Sequence, residues 1–173
     1  MTRDYDSKNP IVNPLLIQKI KEARQNTDDK VFLDFLTELF EAEFLMPIES
    51  NYTGSDSQLF DVMLLQNADG IYIPIFTNYF EMRKLNGTKK NQKILVTDFY
   101  DTIDLVFMLE EVGAAGIVID PFGINLSLSL DFIEGAEQII QTQKQKKMIK
   151  EMHNLLLNSE TNDTDTNLDT DNH

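Results

Sequence analysis

Four residues of types that bind ligands or hard metal ions stand just after apolar stretches of this sequence. They are Thr77 and Asn78 after the first stretch, Asp98 after the second and Asp120 after the third. Ligands of open α/β sheets bind beyond the carboxyl ends of parallel strands, and carboxylate oxygens suit Mg²⁺. A small-ligand or Mg²⁺ site is therefore one interpretation. Helix caps and turns are the other, because they prefer the same residue types and need no ligand.

The composition excludes most conventional catalytic centres. The chain has no cysteine, and its two histidines are His153 and the last residue, His173. Ser/His/Asp catalysis, Cys/His catalysis and zinc or iron sites with His or Cys ligands therefore cannot be built before residue 153. The seven glycines stand singly, without a Gly-rich phosphate loop. These absences favour a protein that is not an enzyme and uses no cofactor.

Positive charge is concentrated in two short segments, which together hold nine of the 15 Lys and Arg residues. The first is a basic patch within residues 83–93, made of Arg83, Lys84, Lys89, Lys90 and Lys93. The second lies closer to the end of the chain and contains Lys144, Lys146, Lys147 and Lys150. Either segment could receive an acidic partner or the acidic end of this chain. The alternative is a solvated loop and a solvated helix face.

An apolar stripe follows the second basic segment at helical spacing. Its members are Met148, Ile149, Met152, Leu155 and Leu156. Methionine-rich faces of helices suit adaptable binding of a partner, so this stripe predicts a protein interface or a self-association surface. The alternative is that the helix folds back onto its own domain.

The end of the chain, residues 158–173, is acidic and almost without apolar residues. Such a segment cannot bury enough surface to offset the entropy of ordering, so we expect a disordered tail. Its alternating Asp and Asn residues imitate the start of an EF-hand loop. The loop requires Gly at its sixth position, where Leu168 stands, and its twelfth position would lie past the last residue. We therefore predict no metal site there.

The overall charge limits the class of partner. The chain has 173 residues, with 29 Asp and Glu against 15 Lys and Arg, for a net charge of −14. This balance argues against nucleic acid and against anionic membrane surfaces. No apolar run reaches the roughly 20 residues of a membrane-spanning helix, and the polar start does not read as a secretory signal. The expectation is a cytoplasmic protein.

Two helices and a strand are predicted in the first third of the chain. The Asn-Pro pair at residues 13–14 is a typical helix start, with Asn as N-cap. Asp28 caps a second helix, whose apolar stripe over residues 31–40 is the clearest amphipathic pattern present. Residues 44–48 contain a proline that cannot lie inside that helix, so they are predicted to form a strand.

Strands and helices alternate in the rest of the chain. Apolar stretches at 59–66 and 71–76, joined by the turn residues NADG, predict a β-hairpin whose Pro74 lies at an edge or a bulge. A capping box begins a helix at Asn78, and Asp101 is predicted to cap the next helix. Further strands are predicted at the segments 94–96, 116–119 and 126–130. The result is an α+β fold with a mixed β-sheet of about five to six strands covered by helices, in the order ααβββαβαββα.

Three segments in this order carry a resemblance to a known family. They are residues 69–77 (DGIYIPIFT), 94–96 (ILV) and 116–123 (GIVIDPFG). In their order and spacing they resemble the N-terminal domain of the SseB family of bacterial proteins, which shows strand ends of the forms lPvFTs and lviNP. The resemblance extends over residues 14–140. This chain departs from the family in having Asp120 where Asn usually precedes the proline, and either residue forms an Asx-turn.

The resemblance implies no catalytic residues, because the family has none established that could be transferred. We therefore predict an SseB-like domain that acts as a non-enzymatic protein-interaction or scaffold module. The alternative is a small-ligand or Mg²⁺-binding domain that uses the strand-end residues. Residues 1–12 are predicted to be an N-terminal arm, residues 13–157 the domain with its extended C-terminal helix, and residues 158–173 the disordered tail.

Overall fold

The computed structural model describes residues 2–49, 61–67, 70–85 and 93–162. The helices are α1 (Pro14–Gln25), α2 (Asp29–Glu41), α3 (Tyr79–Met82), α4 (Phe99–Met108) and α5 (Leu130–Asn162), with a 3₁₀ turn at Glu110–Val112. The strands are β1 (Arg3–Asp4), β2 (Glu43–Glu49), β3 (Asp61–Val62), β4 (Leu65–Asn67), β5 (Gly70–Ile75), β6 (Lys93–Asp98), β7 (Ala114–Ile119) and β8 (Leu126–Ser129). The chain divides into two compact units, Met1–Glu134 and Gly135–His173.

The described strands form two four-stranded sheets in the first unit. The first sheet has the order β1-β6-β2-β3, and all its neighbours are antiparallel. The second sheet has the order β4-β5-β7-β8 and is mixed, because β5 and β7 run parallel while the outer pairs are antiparallel. The chain between these two parallel strands includes α3, β6 and α4.

An isolated antiparallel bridge joins the two sheets. Leu45 in β2 and Phe76 directly after β5 exchange both backbone hydrogen bonds, with N···O distances of 2.8 and 2.9 Å. Both side chains are fully buried and belong to a cluster that includes Met82, Leu85 and Val96. The core therefore continues from one sheet to the other at this bridge.

The α+β class is confirmed, but the prediction of one mixed sheet of five to six strands is wrong. The apolar stretch 59–66 is divided, because β3 pairs with β2 in the first sheet while β4 pairs with β5 in the second. The predicted arm also contributes a strand, since Arg3 and Asp4 pair with β6. The order β1, α1, α2, β2 to β5, α3, β6, α4, β7, β8, α5 thus has two more strands than predicted.

The hairpin of β4 and β5 is confirmed, with Asn67 paired to Gly70. Pro74 lies in an interior strand and not at a sheet edge, but β4 pairs only with the first three residues of β5. At Pro74 the strand therefore has a ladder partner on one side only, the side of β7. The missing amide hydrogen is tolerated for that reason.

Helix starts follow the predicted chemistry at some positions and not at others. Asp28 accepts hydrogen bonds from the amides of Lys30 and Val31, as an N-cap should. The prediction that Asp101 caps α4 is wrong, because Asp98 is the N-cap and accepts from the Asp101 amide at 2.8 Å. The Asp98 carboxylate precedes the Asp101 amide by three residues, which is the ordinary spacing of a side-chain cap.

The amphipathic stripe of α2 is buried in its second half, whereas Phe32 near the start of the helix is 36% exposed. Phe35, Leu36, Leu39 and Phe40 are the buried residues of this helix. The ring of Phe40 meets that of Phe99, at the start of α4, edge to face with a centroid separation of 5.0 Å. This geometry is a favoured one for aromatic pairs, and it fixes α2 against α4.

Helix α5 continues through residue 162, so the backbone of the first five residues of the predicted tail is helical. The rest of that tail, residues 163–173, lies outside the described residues. Its disorder therefore stays a prediction.

Candidate functional site

The turn after β7 places Asp120 at the carboxyl end of the parallel strand pair. Its backbone has a positive φ of 46°, and its amide donates to the carbonyl of Ile75 at the end of β5. Its own carbonyl accepts from the amides of Gly123 and Asn125, at 2.8 and 2.9 Å. Asp tolerates this left-handed conformation better than most residues, which explains its use here.

The carboxylate of Asp120 is almost entirely buried, at 1% exposure, beside the fully buried Thr77. One carboxylate oxygen accepts from the Thr77 amide at 2.9 Å, and the other accepts from the Thr77 hydroxyl at 2.6 Å. Both oxygens therefore accept hydrogen bonds from a single residue, Thr77, which follows β5. This pair links the ends of β5 and β7.

Burial raises the pKa of the Asp120 carboxyl above its ordinary value, and the nearby negative charge of Glu81 acts in the same direction. The two hydrogen bonds from Thr77 and the positive charge of Lys84 oppose this rise. Asp120 thus has the raised pKa of a buried carboxyl, and both of its carboxylate oxygens accept hydrogen bonds from within the protein.

Two asparagines complete the network around Thr77. Asn78 caps α3 by accepting from the Glu81 amide at 3.0 Å, and its own amide group donates to the Thr77 hydroxyl at 3.1 Å. Asn13 makes no side-chain cap bond to α1. Instead, its side-chain amide donates to the carbonyls of Thr77 at 3.0 Å and of Glu43 at 2.7 Å. Asn13 therefore ties the start of α1 to both sheets.

Asp98 lies on the first sheet, whereas Asp120 follows a strand of the second. It ends β6 in the first sheet, where it is paired with Glu43, and caps α4. Burial alone would raise the pKa of its carboxyl, but hydrogen bonds including the one from the Asp101 amide hold it below its usual value. The structure therefore brings together Thr77, Asn78 and Asp120, and gives Asp98 a capping role elsewhere.

Within the described ranges, no three His, Asp or Glu side chains are grouped closely enough to hold a metal ion. The four predicted strand-end residues include only two carboxylates, and these lie on different sheets.

The basic patch is partly described. Lys84 pairs with Glu81 at 2.6 Å and lies over the ring of Phe80, 5.0 Å from its centroid. Lys93 pairs with Asp4 at 3.3 Å, while Arg83 follows α3 directly and is exposed. Lys89 and Lys90 lie outside the described residues. Two of the three described cations of the patch thus have an acidic partner in the same chain.

Exposed aromatic residues flank the Thr77 network, and sequence reasoning did not single them out. Phe80, in α3, is 71% exposed, and Phe122, in the turn after β7, is 50% exposed. Tyr79 is also exposed on one side and stacks against Tyr5 with a ring separation of 5.8 Å. The sequence did contain one indication that Phe80 is exposed. The buried residues Met82 and Leu85 are three positions apart, and Phe80 does not fall at that spacing from either.

The apolar stripe of α5 is described as far as Leu155. Met148, Ile149, Met152 and Leu155 have side-chain exposures of 59%, 67%, 58% and 70%. The side chain of Leu156 lies outside the described part. Lys144, Lys146, Lys147 and Lys150 are also exposed on this helix. Across the described helices, none is long and apolar enough to span a membrane.

One of the three comparisons with known proteins gave a match. The family model of the SseB protein N-terminal domain matches residues 16–134, which lies within the stretch 14–140 of the sequence resemblance. Neither the comparison with curated proteins nor that with solved structures gave a match. The matched region includes both sheets apart from β1, the residues Thr77, Asn78 and Asp120, and helices α2 to α4. This chain therefore belongs to the SseB family.

Proposed function

We propose that this chain is a cytoplasmic, non-enzymatic protein-interaction or scaffold module, and that the apolar stripe of α5 is part of its interface. The observation that carries the proposal is the exposure of Met148, Ile149, Met152 and Leu155, each more than half exposed. At 100° per residue these positions fall within about 120° of the helix circumference. A continuous apolar stripe left in water is costly, and burial against a partner would recover that free energy.

The chemistry of the stripe supports the same function. Two of its four described residues are methionines, whose flexible side chains adapt to the shape of a partner. Exposed aromatic residues in the first unit, Phe80 and Phe122, belong to the types enriched in protein interfaces. The chain thus presents exposed apolar groups of the kinds that protein interfaces use.

The alternative, a small-ligand or Mg²⁺ site at Thr77, Asn78, Asp98 and Asp120, has weaker support. Both Asp120 oxygens already accept hydrogen bonds from Thr77, and Asp98 caps a helix in the other sheet. A ligand would have to displace these bonds. A thermal-shift series with Mg²⁺, Mn²⁺, nucleotides and amino acids tests the alternative, since a ligand at 100 times its Kd adds about 2.7 kcal/mol of stability.

The test of the interface is the double variant Met152→Asp/Leu155→Asp in the full chain. Self-association is measured by sedimentation velocity, and partner recovery by affinity capture from native lysate. We expect the variant to lose the association that the native chain shows. If the variant matches the native chain in both measurements, the stripe is not an interface and the proposal fails.

The control is Gln143→Asp/Asn154→Asp, which adds the same two negative charges. Gln143 and Asn154 are 11 residues apart, so their side chains leave α5 in nearly the same direction. At 100° per residue, that direction is opposite to the middle of the stripe. Both positions are exposed. Association retained in the control and lost in the stripe variant would assign the effect to the stripe and not to net charge.

A further inference from the structure

A groove with a cavity volume of about 400 Å³ lies within the first unit, where β8, α1 and α2 contribute to its lining. Its walls are mostly apolar and aromatic, and Ala23, Phe35 and Phe132 are among the residues that form them. Phe32 also lines the groove, and its ring meets that of Phe132 edge to face. A concave, largely apolar surface with a few polar groups is the usual form of a binding site. We name this feature the β8 groove.

The strand that borders this groove is an edge strand. β8 pairs with β7 on one side, and in the described part of the chain no strand pairs with its other side. Because the hydrogen bonds of an antiparallel pair alternate along a strand, alternate residues of β8 direct their backbone amide and carbonyl groups away from β7. The free edge therefore offers main-chain donors and acceptors to another extended chain.

The sequence of β8 does not protect this edge. Charged side chains, prolines and bulges are the features that commonly prevent an edge strand from pairing with another chain. β8 has the sequence LSLS, without a charged residue or a proline. Its register with β7 is regular over all four residues, without a bulge. The edge is thus chemically suited to pairing.

The groove follows the backbone of β8. All four residues of the strand, 126–129, line it. Successive side chains of a strand point to opposite faces of the sheet, so a groove lined by four residues in succession cannot lie over one face alone. A chain bound in the groove would therefore run beside the strand. Peptides that add to a sheet edge gain affinity from main-chain hydrogen bonds and specificity from pockets for alternate side chains.

Arg24 determines the charge of the groove, because it is the one charged residue among the described residues that line it. Its guanidinium donates to the carbonyl of Asn125, directly before β8, at 3.1 Å. In the described ranges it makes no ion pair. A guanidinium has five N–H donors, so others are available to a carboxylate. An acidic residue of the occupant would thus bind close to the start of β8.

We propose that the β8 groove binds an extended segment of a partner protein, which adds to the second sheet as a strand beside β8. The segment has apolar side chains at alternate positions, which face the apolar wall, and an acidic residue that pairs with Arg24. This surface goes beyond the proposed function, because it lies in the first unit and does not depend on the stripe of α5.

The experiment begins with a phage-displayed library of random twelve-residue peptides, selected against the full chain. We expect the enriched sequences to have apolar residues at alternate positions and an Asp or Glu. An enriched peptide, synthesised with a fluorescent label, should bind Arg24→Glu at least about tenfold more weakly than the native chain, because like charges then face each other. Should Arg24→Glu disturb folding, as judged by the unfolding transition, Arg24→Gln must still weaken binding.

The matched control is Arg83→Glu, which makes the same change of charge at an exposed residue that does not line the groove. It should bind the peptide as the native chain does. Met152→Asp/Leu155→Asp should also bind it normally. Failure of the α5 interface and failure of the β8 groove are therefore distinguishable.

Methylation of the peptide's backbone nitrogens tests strand pairing directly, because it removes an amide donor and leaves the side chain unchanged. Alternate residues of an added strand direct their amides towards β8. We expect methylation to abolish binding at one set of alternate positions and to be tolerated at the other. In the complex, the β8 amides that point away from β7 should exchange with solvent more slowly than in the free chain.

Three results would overturn the inference. They are a selection that enriches no sequence, native-like binding to both Arg24 variants, and a methylation series without alternation. Self-association that protects the β8 amides in the absence of peptide would assign the edge to a second copy, and would overturn it as well.

Discussion

The carboxylate of Asp120 accepts two hydrogen bonds from Thr77, one from its amide at 2.9 Å and one from its hydroxyl at 2.6 Å. The two residues are 43 positions apart and both are buried. They lie where the parallel strands β5 and β7 end, and the Asp120 amide bonds to β5 as well. The pair therefore acts as a polar clamp on the fold, at the position where many open sheets bind a ligand.

Thr77→Val tests this clamp, because it replaces the hydroxyl by a methyl group of similar size. A buried carboxylate oxygen then loses its donor, and hydrogen bonds to charged groups contribute about 1.5–3 kcal/mol. We expect the free energy of unfolding, from urea titration at neutral pH, to fall by about 2 kcal/mol. Thr77→Ser keeps the hydroxyl and should lose less. Equal losses in both variants would show that packing and not the hydrogen bond matters at this position.

Asp120→Asn probes the raised pKa of the buried carboxyl. A carboxyl with a higher pKa in the folded than in the unfolded chain stabilises the fold fully below the unfolded pKa of about 3.9. That contribution is lost as pH rises through the folded pKa. Asn does not titrate, so the stability of Asp120→Asn relative to the native chain should rise over this range. Asn also tolerates the positive φ of this position.

The measurement is urea unfolding at several pH values between acid and neutral, with Asp98→Asn as a counterpart of opposite sign. The pKa of Asp98 is lowered in the fold, so its contribution is present above the unfolded pKa and lost as pH falls through the folded pKa. Asp98→Asn should therefore become less stable relative to the native chain as pH rises. If the difference rises with pH in both variants, the Asp98 assignment is wrong, and if it falls in both, the Asp120 assignment is wrong.

Local patterns in the sequence predict most elements of this fold. The stripe of α2, the cap at Asp28 and the turn from Asp120 to Gly123 depend on residues within a few positions of each other. They are correct because neighbours in the chain decide them. The SseB resemblance was confirmed as well. It also depends on short local patterns, the strand ends and their spacing along the chain.

Pairings over long distances could not be read in the same way. One apolar stretch supplies β3 to one sheet and β4 to the other, and no local pattern marks the division. Whether Asp98 approaches Asp120 depends on the order of strands, which the bridge between Leu45 and Phe76 helps to set. The two-residue strand β1 is polar and exposed, so it carries no periodic signal.

Asn13 lies at the N-cap position of α1, as predicted, but its side chain makes no cap bond to the helix and donates to two carbonyls. Asn13→Asp distinguishes the two roles. Asp is as good an N-cap as Asn, but a carboxylate has no hydrogen to donate to the carbonyls of Glu43 and Thr77.

We expect Asn13→Asp to lower the midpoint of thermal unfolding more than Asn13→Ala does, because it adds repulsion to the loss of two hydrogen bonds. Each lost bond costs about 1 kcal/mol. An Asp variant as stable as the native chain would support the role of the Asn13 side chain as a cap. It would also contradict the inference that this side chain ties α1 to the sheets.

Gly116 is the position in β7 where a side chain is least tolerated. Its φ is 152°, and an added Cβ would clash with the carbonyl oxygen of Leu128 and come within 3.1 Å of the Ser129 Cα. Both neighbours are backbone atoms of β8, which is paired with β7 at this point. They cannot move without breaking the ladder, so the smallest substitution, Gly116→Ala, should already disrupt the edge of the second sheet.

We expect Gly116→Ala to lower the free energy of unfolding by more than about 3 kcal/mol, because overpacking and backbone strain each cost about 1–3 kcal/mol. The control is Gly135→Ala in α5, where the added Cβ has no neighbour within 4 Å apart from its adjacent residues and the backbone of its own helix. That change should stabilise the chain by about 1 kcal/mol, because Ala has the higher helix propensity. Thermal unfolding of the two variants thus gives shifts of opposite sign. A small shift at Gly116 would contradict this prediction, because it would show that β8 does not hold its backbone against Gly116.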